Sequence, residues 1–122
     1  MTVYSCCYNQ GEYLREALDS IAKQWPLHIE IIVLDDASTD STPTVMMDWY
    51  SSLPEDRRRM VRLIRNEENL GLPASCNKVL ALARGKYILR LDSDDALEEG
   101  ALTNMIQAMK ENIDTAAVFC GY

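Results

Sequence analysis

The chain has 122 residues, 48% of them hydrophobic and 25% charged, which supports one globular domain, residues 1–122, with a real core. Its 12 basic and 19 acidic residues leave a formal charge of −7, and that excludes a broad nucleic-acid phosphate footprint, which needs a basic face. No apolar run approaches the roughly 20 residues of a membrane span, so the expectation is a cytoplasmic protein, reaching the inner membrane surface only through flanks outside these residues.

Thr2 to Tyr8 reads as a short strand closed by Asn9-Gln10-Gly11. Leu14, Ala17, Leu18, Ile21, Ala22 and Trp25 then recur at helical spacing until Pro26. Glu30 to Leu34 is a continuous apolar strand running into Asp35. Thr42-Pro43 predicts a helix start, with Thr42 as N-cap, and the stripe Met46, Trp49, Tyr50 and Leu53 follows. Glu55 to Arg59 reads as a charged, solvated turn, and Met60 to Ile64 as the third strand. A third amphipathic helix shows Leu72, Cys76, Val79, Leu80 and Ala83, with Gly85 at its C-terminal end. Tyr87 to Leu91 is the fourth strand, Leu102, Met105, Ile106 and Met109 mark a fourth helix, and Thr115 to Phe119 is a fifth strand.

Strands and helices alternate throughout, and the strands are continuous in their apolar character. That pattern predicts an α/β fold: a mainly parallel sheet with helices on both faces. In such sheets ligands bind beyond the carboxyl ends of the strands, near a switch in strand order. Tyr8-Asn9, Asp35-Asp36 and Asp92 to Asp94 all follow strands, so the tips of the second and fourth strands are expected side by side at one edge.

Four cysteines (Cys6, Cys7, Cys76 and Cys120) occur without a C-x-x-C pair and with His28 as the sole histidine, so reduced thiols are expected and a zinc site is not.

Asp92-Ser93-Asp94-Asp95 puts alternate carboxylates where a strand meets a loop, a donor set suited to Mn²⁺ or Mg²⁺. The competing role is helix capping, which suits Asp95 but uses one acid rather than three. An EF-hand is excluded, because Leu97 and Thr103 stand where its Gly and Glu belong. In Asp35 to Asp40, Asp36 is a candidate acceptor for a base imide or ribose, and an ordinary polar turn is the alternative. Tyr8 offers a ring to stack on a base, beside a turn-forming Asn9. Lys78 follows a loop-to-helix start that suits an anion, or else faces solvent. There is no G-x-x-x-x-G-K-[ST], G-x-G-x-x-G or G-x-S-x-G pattern, which removes P-loop, classical dinucleotide-binding and α/β-hydrolase chemistry.

In order along the chain, Tyr8-Asn9 with Glu12-Tyr13-Leu14, Ile31 to Asp40, Arg65 to Leu72, and Ala83 to Ile88 running into Leu91 to Asp95 resemble the family 2 glycosyltransferases. The resemblance implies the Rossmann-like GT-A nucleotide-diphospho-sugar transferase fold. It implies inverting, metal-assisted transfer of a hexosyl or other glycosyl group from a nucleotide-diphosphate donor, often a UDP-sugar, to a glycan or lipid-linked acceptor, as in polysaccharide and cell wall biosynthesis. It places Tyr8, Asn9, Glu12, Asp36, Lys78 and Asp92 at the nucleotide, and Asp92 and Asp94 (the DxD motif) on Mn²⁺ or Mg²⁺. Members often carry Thr or Pro-Thr where this chain has Cys6 and Cys7, and Ala-Arg-Asn where it has Ser75-Cys76-Asn77. They also generally continue further, into a part that supplies the acceptor contacts and the general base. No catalytic residue is identified within 1–122, and Glu98 and Glu99 read as first-turn helix acids. The chain is therefore expected to be the N-terminal, donor-binding part of a longer protein, able to bind donor and metal with little transfer by itself, and with an exposed edge or face that permits self-association. A non-catalytic nucleotide-sugar-binding module is the alternative.

Overall fold

Hydrophobic side chains alternate between two faces along the strands, and a layer of helices covers each face. The computed structural model describes residues 1–26, 28–112, 114 and 117. In chain order the elements are β1 (Thr2–Cys7), α1 (Gly11–Ala22), β2 (Glu30–Asp35), α2 (Thr42–Ser52), α3 (Glu55–Arg58), β3 (Val61–Arg65), α4 (Leu72–Leu82), β4 (Ile88–Arg90) and α5 (Ala101–Glu111). The strands form one four-stranded sheet, ordered β3-β2-β1-β4, in which every pair is parallel. The fifth strand expected at Thr115 to Phe119 falls on residues of which only Ala117 is described. Among the described residues, no helix is long and apolar enough to cross a membrane.

The larger core lies on the face where Val3, Ile31 and Val33 meet Leu14, Leu18 and Ile21 of α1 and Trp49 of α2, all fully buried. Burying each of these aliphatic side chains contributes roughly 1.5–3 kcal/mol relative to exposure. On the opposite face Tyr4, Ile32 and Leu34 pack against Val79 of α4. Period-two alternation thus sends odd residues of β1 and β2 toward α1 and α2, and even residues toward α4.

Several local expectations are corrected by polar anchors. Thr42 is the first helical residue and Ser41 takes the N-cap position without a side-chain bond. The buried Thr42 hydroxyl instead accepts the Gln10 N–H at 3.0 Å and donates to Asp40 Oδ1 at 2.5 Å, stitching α2 to the start of α1. On α4 the buried line is Ser75 and Val79, while Leu72 and Leu80 are 45% and 42% exposed. Ser75 accepts a bond from Asn66 Nδ2 at 3.0 Å, and that bond turns the helix off its most apolar stripe. The charged segment after Pro54 forms α3, and Arg57 is not free in solvent: it lies 5.3 Å from the Trp25 ring and donates to the Ala22 carbonyl.

Gly85 does not cap α4, which ends at Leu82 with Ala83 already extended. Its role is close approach: a Cβ there would sit 2.3 Å from the Thr2 backbone nitrogen. Glu98 and Glu99 precede α5 rather than opening it, because Gly100 holds the cap position.

Candidate functional site

β1 is flanked by β2 on one side and β4 on the other, so the strand order reverses between β1 and β4. Loops leaving the carboxyl ends of such a pair diverge and leave a crevice. A cavity of about 290 Å³ opens there, and Cys6, Tyr8, Arg90, Asp92 and Asp94 line it together with Gln10, Ser93 and Leu72. β1 and β4 pair with Tyr4 opposite Arg90, so the even residues of both point to one face. Tyr4, Cys6 and Arg90 thus share a face, and the turns that follow the two strands bring Tyr8, Asp92 and Asp94 into one cavity.

The acidic tips of β2 and β4 share an edge but are not side by side, because β1 lies between them. Two strand spacings amount to roughly 10 Å. The two tips also differ in kind.

At the β4 tip, Asp92 is half-buried and Asp94 is exposed. The Asp95 N–H closes a turn on the Asp92 carbonyl at 3.0 Å. Asp95 does not cap α5, which begins only at Ala101. Arg90 grips Asp92: Nε and Nη2 each lie 2.6 Å from Oδ1. That hydrogen bond is the main reason the guanidinium is held above its ordinary pKa. Among the described residues, no group of three or more His, Cys, Asp and Glu side chains is placed to hold a metal ion. The donor set at this tip is two carboxylates. That fits Mn²⁺ or Mg²⁺, hard cations that take one or two carboxylates and fill their remaining positions with water and phosphate oxygens.

At the β2 tip, backbone donors take up the carboxylates. Asp35 is fully buried; its Oδ1 accepts the Ser38 N–H at 3.1 Å, and Oδ2 faces Arg65 Nε at 3.4 Å. Asp36 is 4% exposed. Its Oδ1 accepts from Asn66 Nδ2 at 2.7 Å and the Leu70 N–H at 2.9 Å, and its Oδ2 from the Gly71 N–H at 2.8 Å. Burial pushes this carboxyl's pKa up, but the bonds from Asn66, Leu70, Ser75 and Gly71 outweigh it and hold the group below its usual value. Gly71 supports the arrangement with a φ of 82°, a left-handed conformation that suits a residue without a Cβ. Asp40 is likewise lowered on balance: desolvation raises it, and Thr42 and Gly11 donors more than reverse that.

The remaining candidates separate. Asn9 sits at the positive φ of 53° and acts as a clasp. Its N–H donates to Ser38 Oγ at 2.9 Å, and its Oδ1 accepts the Thr39 N–H at 2.8 Å. Glu12 is exposed in the first turn of α1, where its charge complements the helix dipole. Lys78 lines a neighbouring cleft of about 310 Å³ with Arg65, Asn66 and Leu70, and donates to Asn66 Oδ1 at 2.7 Å. The Asp36-pinned segment therefore forms the wall between two clefts, with Leu70 on one side and Leu72 on the other. Tyr8, Asp92 and Asp94 are brought together; Asn9 and Asp36 brace the edge beside them, and Lys78 stands across the wall.

Arg90, Cys6 and Gln10 carry no site role in the sequence analysis, although they line the cavity. The available signal for the first two was parity: once Asp92 and Tyr8 are assigned to a face, Arg90 and Cys6 lie two residues upstream on the same face. Cys6 also packs with Cys76 under α4, where burial first, and then the neighbouring thiols, push its pKa up. Among the described residues, Cys6, Cys7 and Cys76 are free thiols.

Comparison with known proteins places this geometry. Residues 2–122 match the family model for glycosyl transferase family 2. The chain is 30% identical over 119 residues to the chondroitin synthase of Escherichia coli, covering 98% of this chain and 16% of that protein. It superposes on residues 1–349 of S. aureus TarS in complex with UDP-GlcNAc with a TM-score of 0.80 and 30% identity, covering 92% of this chain and 31% of that TarS fragment. The mannosyltransferase PcManGT from Pyrobaculum calidifontis, in complex with GDP-Man and Mn²⁺, gives a TM-score of 0.79 at 28% identity, covering 88% and 31%. The chain spans less than a third of the length of each of these proteins. On this match, and on a parallel α/β sheet that superposes on these transferases, the chain belongs to glycosyl transferase family 2 and has the GT-A fold.

Proposed function

We propose that this chain is the donor-binding part of an inverting glycosyltransferase, which moves a sugar from a nucleotide-diphosphate donor to a hydroxyl of a glycan or lipid-linked acceptor. One observation carries the reading: the crevice between β1 and β4 gathers an exposed aromatic ring, an arginine and two carboxylates in one cavity. Tyr8, 45% exposed, offers its ring face to the base. Asn9 and Asp36 hold the adjoining loops so that the nucleotide meets a fixed wall, and Lys78 adds positive charge beyond it. Asp92 and Asp94 are the residues that hold Mn²⁺ or Mg²⁺. Bound there, the cation would offset the charge growing on the leaving nucleotide diphosphate and orient it. Among the described residues, Asp92 and Asp94 are the acids that line this cavity, and we place the general base that deprotonates the acceptor outside residues 1–122.

Among the described residues the cavity holds two carboxylates and no third, which also favours a second reading, a non-catalytic module that binds nucleotide-sugar without transferring it. Calorimetry of UDP-, GDP- and CDP-sugars with and without Mn²⁺, run beside a transfer assay on the intact polypeptide, separates the two. Metal-dependent binding with turnover supports the transferase, and the same binding without turnover supports the module. Failure of every donor to bind in the presence of metal sinks both.

A further inference from the structure

Among the described residues, Arg90 is the one basic residue lining the β1–β4 cavity. The neighbouring cations are engaged elsewhere: Arg65 on the Ser38 carbonyl and Asp35, Lys78 on Asn66. In a chain of net charge −7, an anionic diphosphate entering this crevice therefore meets a single local guanidinium. Arg90 holds Asp92 in an unusual way. Nε and Nη2 converge on Oδ1 alone, at 2.6 Å each, so the fork closes on one oxygen. The guanidinium carries five N–H donors, so most of its capacity is unspent. The two side chains are 43% and 45% exposed, and an ion pair that open to water is weak and readily exchanged. The carboxylate it occupies is one that a divalent cation would claim. Arg90 and Asp92 lie two residues apart on the same face of the β4 edge, so a released guanidinium stays in the cavity.

Building on the donor-binding reading above, we infer that Arg90 is an exchangeable counter-ion: it pairs with Asp92 in the ligand-free protein and moves to the donor's diphosphate when a divalent cation takes Asp92. Its planar fork matches phosphate oxygens in a way a point charge does not. The exchange keeps Asp92 neutralised before loading. It also couples the two ligands, because metal binding releases the group that then grips the diphosphate.

The coupling gives a test with opposite signs. In Arg90→Gln, titration calorimetry with Mn²⁺ alone should show tighter affinity than wild type, because a competitor for Asp92 is gone, and unchanged affinity would overturn the exchange. Titration with UDP or GDP in saturating Mn²⁺ should show a loss of about tenfold or more, the scale of a charged hydrogen bond. Arg90→Lys, which retains charge but not the fork, should recover part of the nucleotide affinity. If Mn²⁺ affinity falls along with nucleotide affinity, Arg90 merely positions Asp92 and the inference is overturned. It is also overturned if both variants bind nucleotide as wild type does. If wild type itself shows no Mn²⁺-dependent binding of UDP or GDP, the donor-binding reading fails and takes the inference with it; wild-type binding with an unaffected variant sinks the inference alone.

Discussion

The tips of β2 and β4 look alike in sequence, each a strand running into a cluster of acids, but they do opposite work. At the β2 tip Asp35, Asp36 and Asp40 receive N–H groups from Ser38, Leu70, Gly71, Gly11 and Thr42. These carboxylates serve as the glue of three loops. At the β4 tip Asp92 is held by one exposed arginine, and Asp94 stands in solvent. A carboxylate that has accepted several backbone donors has little left for a ligand, whereas one held by an exposed counter-ion is available. Counting donors, rather than acids, tells an architectural tip from a binding tip.

The comparison breaks most visibly if Asp36 is removed. Asp36→Ala would leave the Asn66 amide and the Leu70 and Gly71 N–H groups without their acceptor. Stability to urea should fall by about 2–4 kcal/mol, since partners left unsatisfied pay their full desolvation cost. The wall between the two clefts should loosen with it, seen as faster amide exchange at Leu70 and Gly71. Unchanged stability would mean that water replaces the carboxylate and that the β2 tip is no more structural than the β4 tip.

Asn9→Ala should have the next largest effect, about 1–2 kcal/mol, combining the lost acceptor with a left-handed conformation that Ala dislikes. Asn9→Gly tests the division: it relieves the backbone cost and leaves the lost bonds. A glycine variant as stable as wild type would show that the clasp is dispensable.

Acid should act on the same tip. The folded-state pKa of Asp36 is depressed, so its contribution is present above the ordinary carboxylate value of about 3.9 and is lost as pH falls through the lower folded value. Wild type should lose stability below about pH 4, and Asp36→Asn should do so less steeply, by up to about 1.4 kcal/mol per pH unit. Equal slopes in urea titrations between pH 4 and pH 2 would remove Asp36 from the acid transition.

Much of this was legible beforehand. Continuous apolar runs located four strands, helical spacing located the main helices, and their alternation implied the parallel sheet. Tyr8, Asp92 and Asp94 line one cavity because each follows a strand that ends at the same edge of a parallel sheet. What could not be read was strand order: nothing local reveals that β1 stands between β2 and β4, since that is set by which helix layer each crossover joins. Nor could composition reveal the polar anchors. Ser75 turning α4 toward Asn66, and Thr42 bonding sideways to Gln10 and Asp40, depend on partners 9, 32 and 2 residues away. Arg90 takes no role from the sequence for a different reason. A charged residue in an apolar strand reads as a solvent-facing position, and its meaning appears only when the strand is seen to be an edge beside a cavity.

The smallest effect on stability should come from the residue that matters most for ligand. Asp94→Asn removes an exposed charge that braces no loop, so urea stability should stay within about 0.5 kcal/mol of wild type. An amide keeps the shape but surrenders the anionic oxygen that a hard cation needs, so Mn²⁺-dependent nucleotide binding should disappear from calorimetric titrations while the fold persists. A stable variant that still binds nucleotide with metal would strip the β4 tip of its assigned chemistry. A variant that unfolds would make the two tips alike after all, each with carboxylates spent on architecture.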